Sequence, residues 1–282
     1  MKFSQSLKLL IPLISASVVN FILPNKLSAE VSLHSQCPES GTLTNAQFAS
    51  QVDPACYSKP DSYQVKIIEI GMCKDNPLAT SSLLTTSCAI LFSNSDGLTI
   101  DLASSGSLLS KVALSGATVP VKDTYLFAYI VMDDSSFKIS ASYETTERTW
   151  YSSSSTSEYN ENYSGWKTTS PSEAKTYSIA GFGTGNCSEG VSHESLNLTG
   201  AFLDTNYEIS TPVGDDCPNA TYMAMSQSLA NSVTITSDNP EIDVQFDLTS
   251  YGALIIGQES SPDFSAGVGL GFPIINIVTN KT

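Results

Sequence analysis

Histidine is nearly missing from this chain: His34 and His193 are the only two in 282 residues. General-base chemistry through imidazole must use one of them. His34 stands close to Cys37, a poor place for a buried base, and His193 follows Ser192 in the run Gly190-Val191-Ser192-His193-Glu194-Ser195. Neighbours on an extended strand point to opposite faces, so Ser192 and His193 do not make a nucleophile and base pair. A G-x-S-x-G elbow is missing too, which removes the usual serine-hydrolase frame.

Positive charge is scarce: 13 Lys and Arg stand against 28 Asp and Glu, a net charge of −15. Phosphate binding needs a clustered basic surface, so nucleic acid and anionic membranes are disfavoured as partners. The acidic excess serves solubility, with calcium association or a cationic partner as the other readings. No C-x-x-C occurs among the six cysteines, and with two histidines the spacing does not suit zinc. Beyond residue 23 no apolar run approaches the 18 or so residues of a membrane span. Self-similarity at periods of about 20 to 50 residues is lacking, which argues against solenoids and propellers.

What is present begins with an export-like segment. Lys2 and Lys8 form a positive start, Leu9 to Leu23 an apolar core, and Leu27-Ser28-Ala29 a small-residue cleavage site. Fifteen residues rise only about 22 Å as a helix, short of the roughly 30 Å hydrocarbon core. The expectation is therefore a signal peptide over 1–29 and a mature domain over 30–282. Cleavage removes Lys2, Lys8 and Lys26 and no acid, which takes −15 to −18. The matching expectation is a secreted protein, extracellular or at the cell surface, with a periplasm as the alternative.

An even cysteine count in an oxidising compartment predicts disulfides. Sequential pairing is expected, Cys37 with Cys56, Cys73 with Cys88 and Cys187 with Cys217, because each pair flanks a local excursion between strand-like segments. Period-two alternation dominates the mature region. Its clearest example sets Ile242, Val244, Phe246 and Leu248 on one face against Asp243, Gln245 and Asp247. Other strands are expected over Tyr63–Met72, Cys88–Phe92, Leu98–Leu102, Tyr125–Met132, Phe137–Tyr143, Ser195–Leu203, Ser232–Thr236, Tyr251–Ile256 and Pro273–Val278. Ser93-Asn94-Ser95-Asp96-Gly97 reads as a hairpin loop, and Asp238-Asn239-Pro240 as a similar turn. Short helical turns are expected at Thr44–Phe48 and over Ser104–Leu114. The fold class is all-β, an antiparallel β-sandwich of jelly-roll or Ig-like kind, stapled by disulfides.

Candidate chemistry is thin. Asp133-Asp134 and Asp215-Asp216 are the adjacent acids that a glycosidase would need, but adjacent acids diverge on a strand. Met223 and Met225 with His193 offer soft copper ligands, though Met at period two more often fills a core. Asn94, Asp96 and Asp101 lack the ligand spacing of a calcium loop. The clusters Gly181–Gly185 and Gly267–Gly271 do not open helices as phosphate loops do. Asn162, Asn186, Asn197, Asn219 and Asn280 begin sequons.

Both tryptophans lie in a Ser, Thr and Tyr-rich stretch over 149–172. Trp150, Tyr151, Tyr159, Tyr163 and Trp166 are the candidate ligand-binding residues, since rigid rings among small polar neighbours suit glycans or another surface polymer. The other reading of that stretch is a hairpin whose rings cover the sheet. Near the C-terminus Phe272–Val278 is apolar and β-branched, able either to pair at home as a central strand or to add to the edge of another copy. Together these readings expect a non-catalytic structural or adhesive subunit without metal or cofactor, and, as the alternative, a glycan-binding module.

Overall fold

The computed structural model describes residues 36–49, 55–104, 121–134, 137–156, 164–177, 197–210, 217–237, 241–256, 267–271 and 273–280. The expected signal peptide and most of the expected Ser104–Leu114 helix lie outside them. One short helix, α1 (Asn45–Ala49), precedes the strands β1 (Ala55–Ser58), β2 (Ser62–Cys73), β3 (Cys88–Asp101), β4 (Thr124–Asp133) and β5 (Phe137–Ser140). They are followed by β6 (Ser142–Glu144), β7 (Thr149–Thr156), β8 (Ser164–Lys167), β9 (Lys175–Tyr177) and β10 (Leu198–Leu203). The last strands are β11 (Tyr222–Thr234), β12 (Glu241–Asp247), β13 (Ala253–Ile256), β14 (Gly267–Leu270) and β15 (Ile274–Asn280).

The chain is an antiparallel β-sandwich stapled by disulfides. A six-stranded sheet runs β1-β13-β14-β8-β7-β6, and a seven-stranded sheet runs β10-β11-β4-β2-β5-β9 with β3 on the other edge of β2. In β2, alternation puts Tyr63, Val65 and Ile67 into the core beside Ile130 and Met132 of β4 and Met223 and Met225 of β11. Ala253, Ile255, Val268 and Trp150 reach the same core from the smaller sheet. The expected strand Phe137–Tyr143 is in fact two: β5 belongs to the larger sheet, β6 to the smaller, and the fully buried Ala141 is the corner between them.

Three local expectations need correction. Ser93–Gly97 does not reverse the chain. Both flanking runs pair with β2, Phe92 opposite Ile70 and Leu98 opposite Ile67, so the extra residues form a bulge inside one strand. Its turn chemistry is nevertheless real: Asp96 N donates to Asn94 Oδ1 at 3.0 Å and Gly97 has φ +71°. Nor do the runs around Asp238–Pro240 form a hairpin, because β12 pairs with β15 along its whole length. Residues 238–240 themselves lie outside the described set. The short Ser232–Thr236 strand is the far end of β11, which crosses an irregularity between Ser228 and Val233.

The β12–β15 ribbon closes the sandwich over β11 and β4, burying Val244 and Ile275. Ile275 N donates to the buried Gln227 Oε1 at 2.8 Å, which satisfies a buried backbone donor. The segment Phe272–Val278 thus has an internal partner, although in a two-stranded ribbon and not as a central strand. Phe272 lies outside the described residues.

Two tyrosines pin one sheet to the other. Tyr63 donates to Gly271 O at 3.0 Å, and Tyr177 donates to Val268 O at 2.7 Å while accepting from Ser164 N at 3.2 Å. The second contact matters because β14 and β8 share a single register pair, Val268 with Ser164. Tyr177→Phe removes the hydroxyl from this buried junction and leaves the Ser164 N–H without its partner, while Val268 O keeps only the longer bond from Ser164 Oγ at 3.4 Å. A loss of about 2 kcal/mol is expected, with faster amide exchange at Ser164. Urea unfolding within about 0.5 kcal/mol of the parent would contradict it.

Folding also accounts for α1. Thr44 Oγ1 accepts from Gln47 N, and Gln47 Oε1 from Thr44 N, which makes a capping box that suits so short a helix. At the β7–β8 hairpin, Glu173 accepts from Lys167 Nζ and from both N and Oγ of Ser154. Lys167, more than any other group, holds the Glu173 carboxyl down at about 2. Because the folded value is depressed, its contribution is present above the unfolded carboxylate range and is lost as pH falls towards 2. A carbon-13 titration is expected to show a Glu173 midpoint near 2 and its rise in Lys167→Met; a midpoint above 4 in the parent contradicts the brace.

Candidate functional site

The structure scatters the residues that composition singled out. Trp150 is buried, 6% exposed, and its indole Nε1 donates to Asn45 Oδ1 at 2.9 Å while the Arg148 guanidinium covers the ring at 5.4 Å. A stacking platform needs an exposed face, so Trp150 belongs to the core and not to a binding surface. Trp166 is half-buried against the same core and Tyr151 is half-buried in β7. Tyr159 and Tyr163 lie outside the described residues. Alternation explains the burial, because Trp150 occupies the inward position between Thr149 and Tyr151.

Other candidates resolve in the same way. Asp133 faces Lys66 at 3.5 Å, while Asp134 is buried at the turn after β4. Met223 and Met225 fill the core. Asp101 accepts from Ser62 Oγ, Tyr63 N and Ala103 N, so its oxygens are committed to the fold. Among the described residues no group of three or more His, Cys, Asp or Glu could hold a metal. Gly267–Leu270 is strand β14 and not a loop before a helix. His34, His193, Asp215, Asp216 and Gly181–Gly185 lie outside the described residues.

Cys37 is bonded to Cys56 and Cys73 to Cys88. Cys217 is also disulfide-bonded, and Cys187, its expected partner, lies outside the described residues. A cleft of about 240 Å³ beside Cys37, lined by Pro38, Glu39, Tyr57 and Tyr143, is smaller than the roughly 300 to 1,000 Å³ of ordinary ligand sites.

A cluster that composition did not reveal lies on the outer face of the larger sheet. There, Ile68, Tyr129, Val131, Ala201, Leu203 and Ala224 form a second small core, separate from the one between the sheets. An irregularity in β2 between Ile67 and Glu69 brings Ile68 and Glu69 to this face together. Tyr129 donates to Glu69 Oε1 at 2.7 Å. The Tyr129 ring lies across Gly71, where a Cβ would stand 2.3 Å from it, so only glycine admits the ring there.

Tyr207 overhangs this face from the turn after β10. Its backbone has φ +63°, a left-handed conformation that a bulky residue rarely adopts. Several bonds impose it. Asp204 Oδ1 accepts from Asn206 N and Glu208 N, Tyr207 N donates to Asp204 O, and Leu83 N donates to Tyr207 O at 3.0 Å. Leu83 belongs to the excursion closed by Cys73–Cys88, and Ile209 N donates to Ser81 O of that excursion at 2.9 Å. The Tyr207 ring is thereby stacked on Tyr222, with centroids 5.3 Å apart and planes 13° from parallel. Tyr222 in turn stands opposite Asp133 in the β11–β4 register.

Burial, then Glu69, raises the phenols of Tyr129 and Tyr207 above the ordinary tyrosine range. Both remain protonated at neutral pH, so they act as donors and aromatic faces. The patch therefore combines a half-buried carboxylate, a rigid pair of partly exposed rings and a Lys66–Asp133 pair at its border. Such a set suits binding. This turn was not among the expected ones, and Asp204-Thr205-Asn206 is the one local signal of it in the sequence; that Tyr207 meets Tyr222 is set by strand pairing.

No protein family, curated protein or solved structure matches the chain.

Proposed function

We propose that this is a non-catalytic extracellular β-sandwich with a structural or adhesive role at a cell surface, and that Tyr207, Tyr222 and Glu69 mark its recognition face. The observation that carries this reading is the left-handed Tyr207. Strain of this kind, about 1 to 3 kcal/mol, persists only where the surroundings impose it, and it concentrates at binding sites. Here a disulfide-closed excursion imposes it and delivers the ring onto rigid central strands. Disulfides suit an oxidising compartment, and among the described residues no helix is long and apolar enough to cross a membrane.

Glycan binding through segment 149–172 has less support, since Trp150 is internal. Self-assembly by exchange of the last strand also has less support, since it would first have to break the β12–β15 ladder. The decisive comparison is retention of purified protein on intact cells of its own host. Tyr207→Ala with Tyr222→Ala is expected to reduce retention at least tenfold while near-native unfolding is preserved. Unchanged retention removes this face from the proposal. Tyr207→Gly is expected to lose retention equally yet unfold at higher urea concentration, because glycine accepts the positive φ without strain.

A further inference from the structure

We infer that the recognition face takes an alkylammonium group, held between the Glu69 carboxylate and the Tyr207–Tyr222 stack. This rests on the reading of that face as a binding surface, and adds the chemistry of what it binds. Three observations carry it.

The first is charge. Glu69 is only partly exposed and makes no ion pair among the described residues; its side chain accepts from the Tyr129 hydroxyl at Oε1. The nearest cation along β2, Lys66, faces Asp133 at 3.5 Å. A half-buried carboxylate that accepts one phenol hydrogen bond and has no cation beside it gains from an incoming cation that restores part of its lost solvation. Asp204 and Glu208 in the adjoining turn add negative charge, and the net charge of −15 attracts cations towards the whole surface.

The second is the rings. Tyr207 and Tyr222 are stacked nearly parallel and both are partly exposed. Their electron-rich faces attract a cation within about 6 Å. Anionic ligands are disfavoured by Glu69, and a neutral sugar would leave the carboxylate uncompensated.

The third is rigidity. Glu69 and Tyr129 lie on β2 and β4, the central strands of the larger sheet, and Tyr222 on β11 beside them. Tyr207 is the single element from a turn, and that turn is tied to the Cys73–Cys88 excursion. Preorganised carboxylate and rings lower the ordering cost of binding a small cation.

The test titrates the full chain with choline, with methylammonium, and with 3,3-dimethyl-1-butanol, a neutral isostere of choline, and follows amide and tyrosine-ring NMR shifts. Choline or methylammonium is expected to shift Glu69, Tyr129, Tyr207 and Tyr222 with millimolar affinity, and the neutral isostere to bind at least tenfold more weakly. A preference for choline identifies a quaternary headgroup, and one for methylammonium a lysine side chain; either supports the inference. Glu69→Gln keeps the size and the hydrogen bond from Tyr129 while removing the charge, and is expected to weaken the cation about tenfold. Equal shifts from the isostere, or undiminished affinity in Glu69→Gln, overturn it. If both cations leave the patch unperturbed while Tyr207→Ala with Tyr222→Ala still abolishes cell retention, the ammonium inference fails and the recognition face stands. Should the cations bind and retention not depend on those tyrosines, the adhesive reading fails instead.

Discussion

Gly267→Ala is expected to leave little folded protein. A Cβ at this position would lie 1.5 Å from Ser164 O, and the backbone φ of +124° falls in a region that side chains other than glycine's hydrogen scarcely adopt. Relief by movement of Ser164 is blocked, because its N–H is held by the Tyr177 hydroxyl and its neighbour across the ladder is the sole β14–β8 pair. Steric overlap and backbone strain therefore act on the same joint. A cost of about 4 kcal/mol or more is expected, against a total stability of about 5 to 15 kcal/mol for a typical domain. The measurement is urea unfolding followed by far-UV circular dichroism, with soluble yield as the fallback reading. A folded Gly267→Ala protein within 1 kcal/mol of the parent would show that the β14–β8 joint is not as described. Gly271→Ala provides an independent check, since its Cβ would stand 1.8 Å from Tyr251 O.

Replacing Cys73 and Cys88 together by serine is expected to cost about 3 kcal/mol, the chain-entropy value for a loop of this length. The loss should not be confined to global stability. Leu83 and Ser81, within the closed excursion, hold the backbone of Tyr207 and Ile209. Release of the excursion therefore frees the turn that presents Tyr207, and its strained φ relaxes. Amide exchange at Leu83 and Ile209 is expected to accelerate more than at Val131, beneath the patch, and the near-ultraviolet signal of the Tyr207–Tyr222 stack to weaken. If stability falls while exchange at Leu83 and Ile209 keeps pace with Val131, the staple does not support the recognition face. Cys37–Cys56 serves as the control, because it ties the segment before α1 to β1, in the other sheet.

Much of the architecture was readable from period and cysteine count. Alternation located the cores of β2, β4, β12 and β15 because inward and outward positions differ by one residue, a property of the strand itself. Asn94, Asp96 and Gly97 carry turn chemistry, but in the folded chain it makes a bulge and not a hairpin. Asx bonds and a positive φ are common to hairpins and bulges, and only the partner strand distinguishes them. A 12-residue β2 was long enough to pair on both sides of the interruption. Trp150 illustrates the same limit for the site. A Ser- and Tyr-rich neighbourhood gave it the composition of a binding loop, whereas its place in β7 turned it inward onto Asn45.

What the chain decides unaided is local: which faces are apolar, where Gly or Asn permits left-handed backbone, how many cysteines there are to pair, and the excess of negative charge. Sheet order and register were decided only by the folded molecule. They join Gly267 to Ser164, send β12 to β15 and gather Glu69, Tyr129, Tyr207 and Tyr222 from four separate segments. The physical reason is that strand pairing is a competition among non-local contacts of similar energy, settled by packing over the whole sandwich, while side-chain period and backbone preference are set within a few residues.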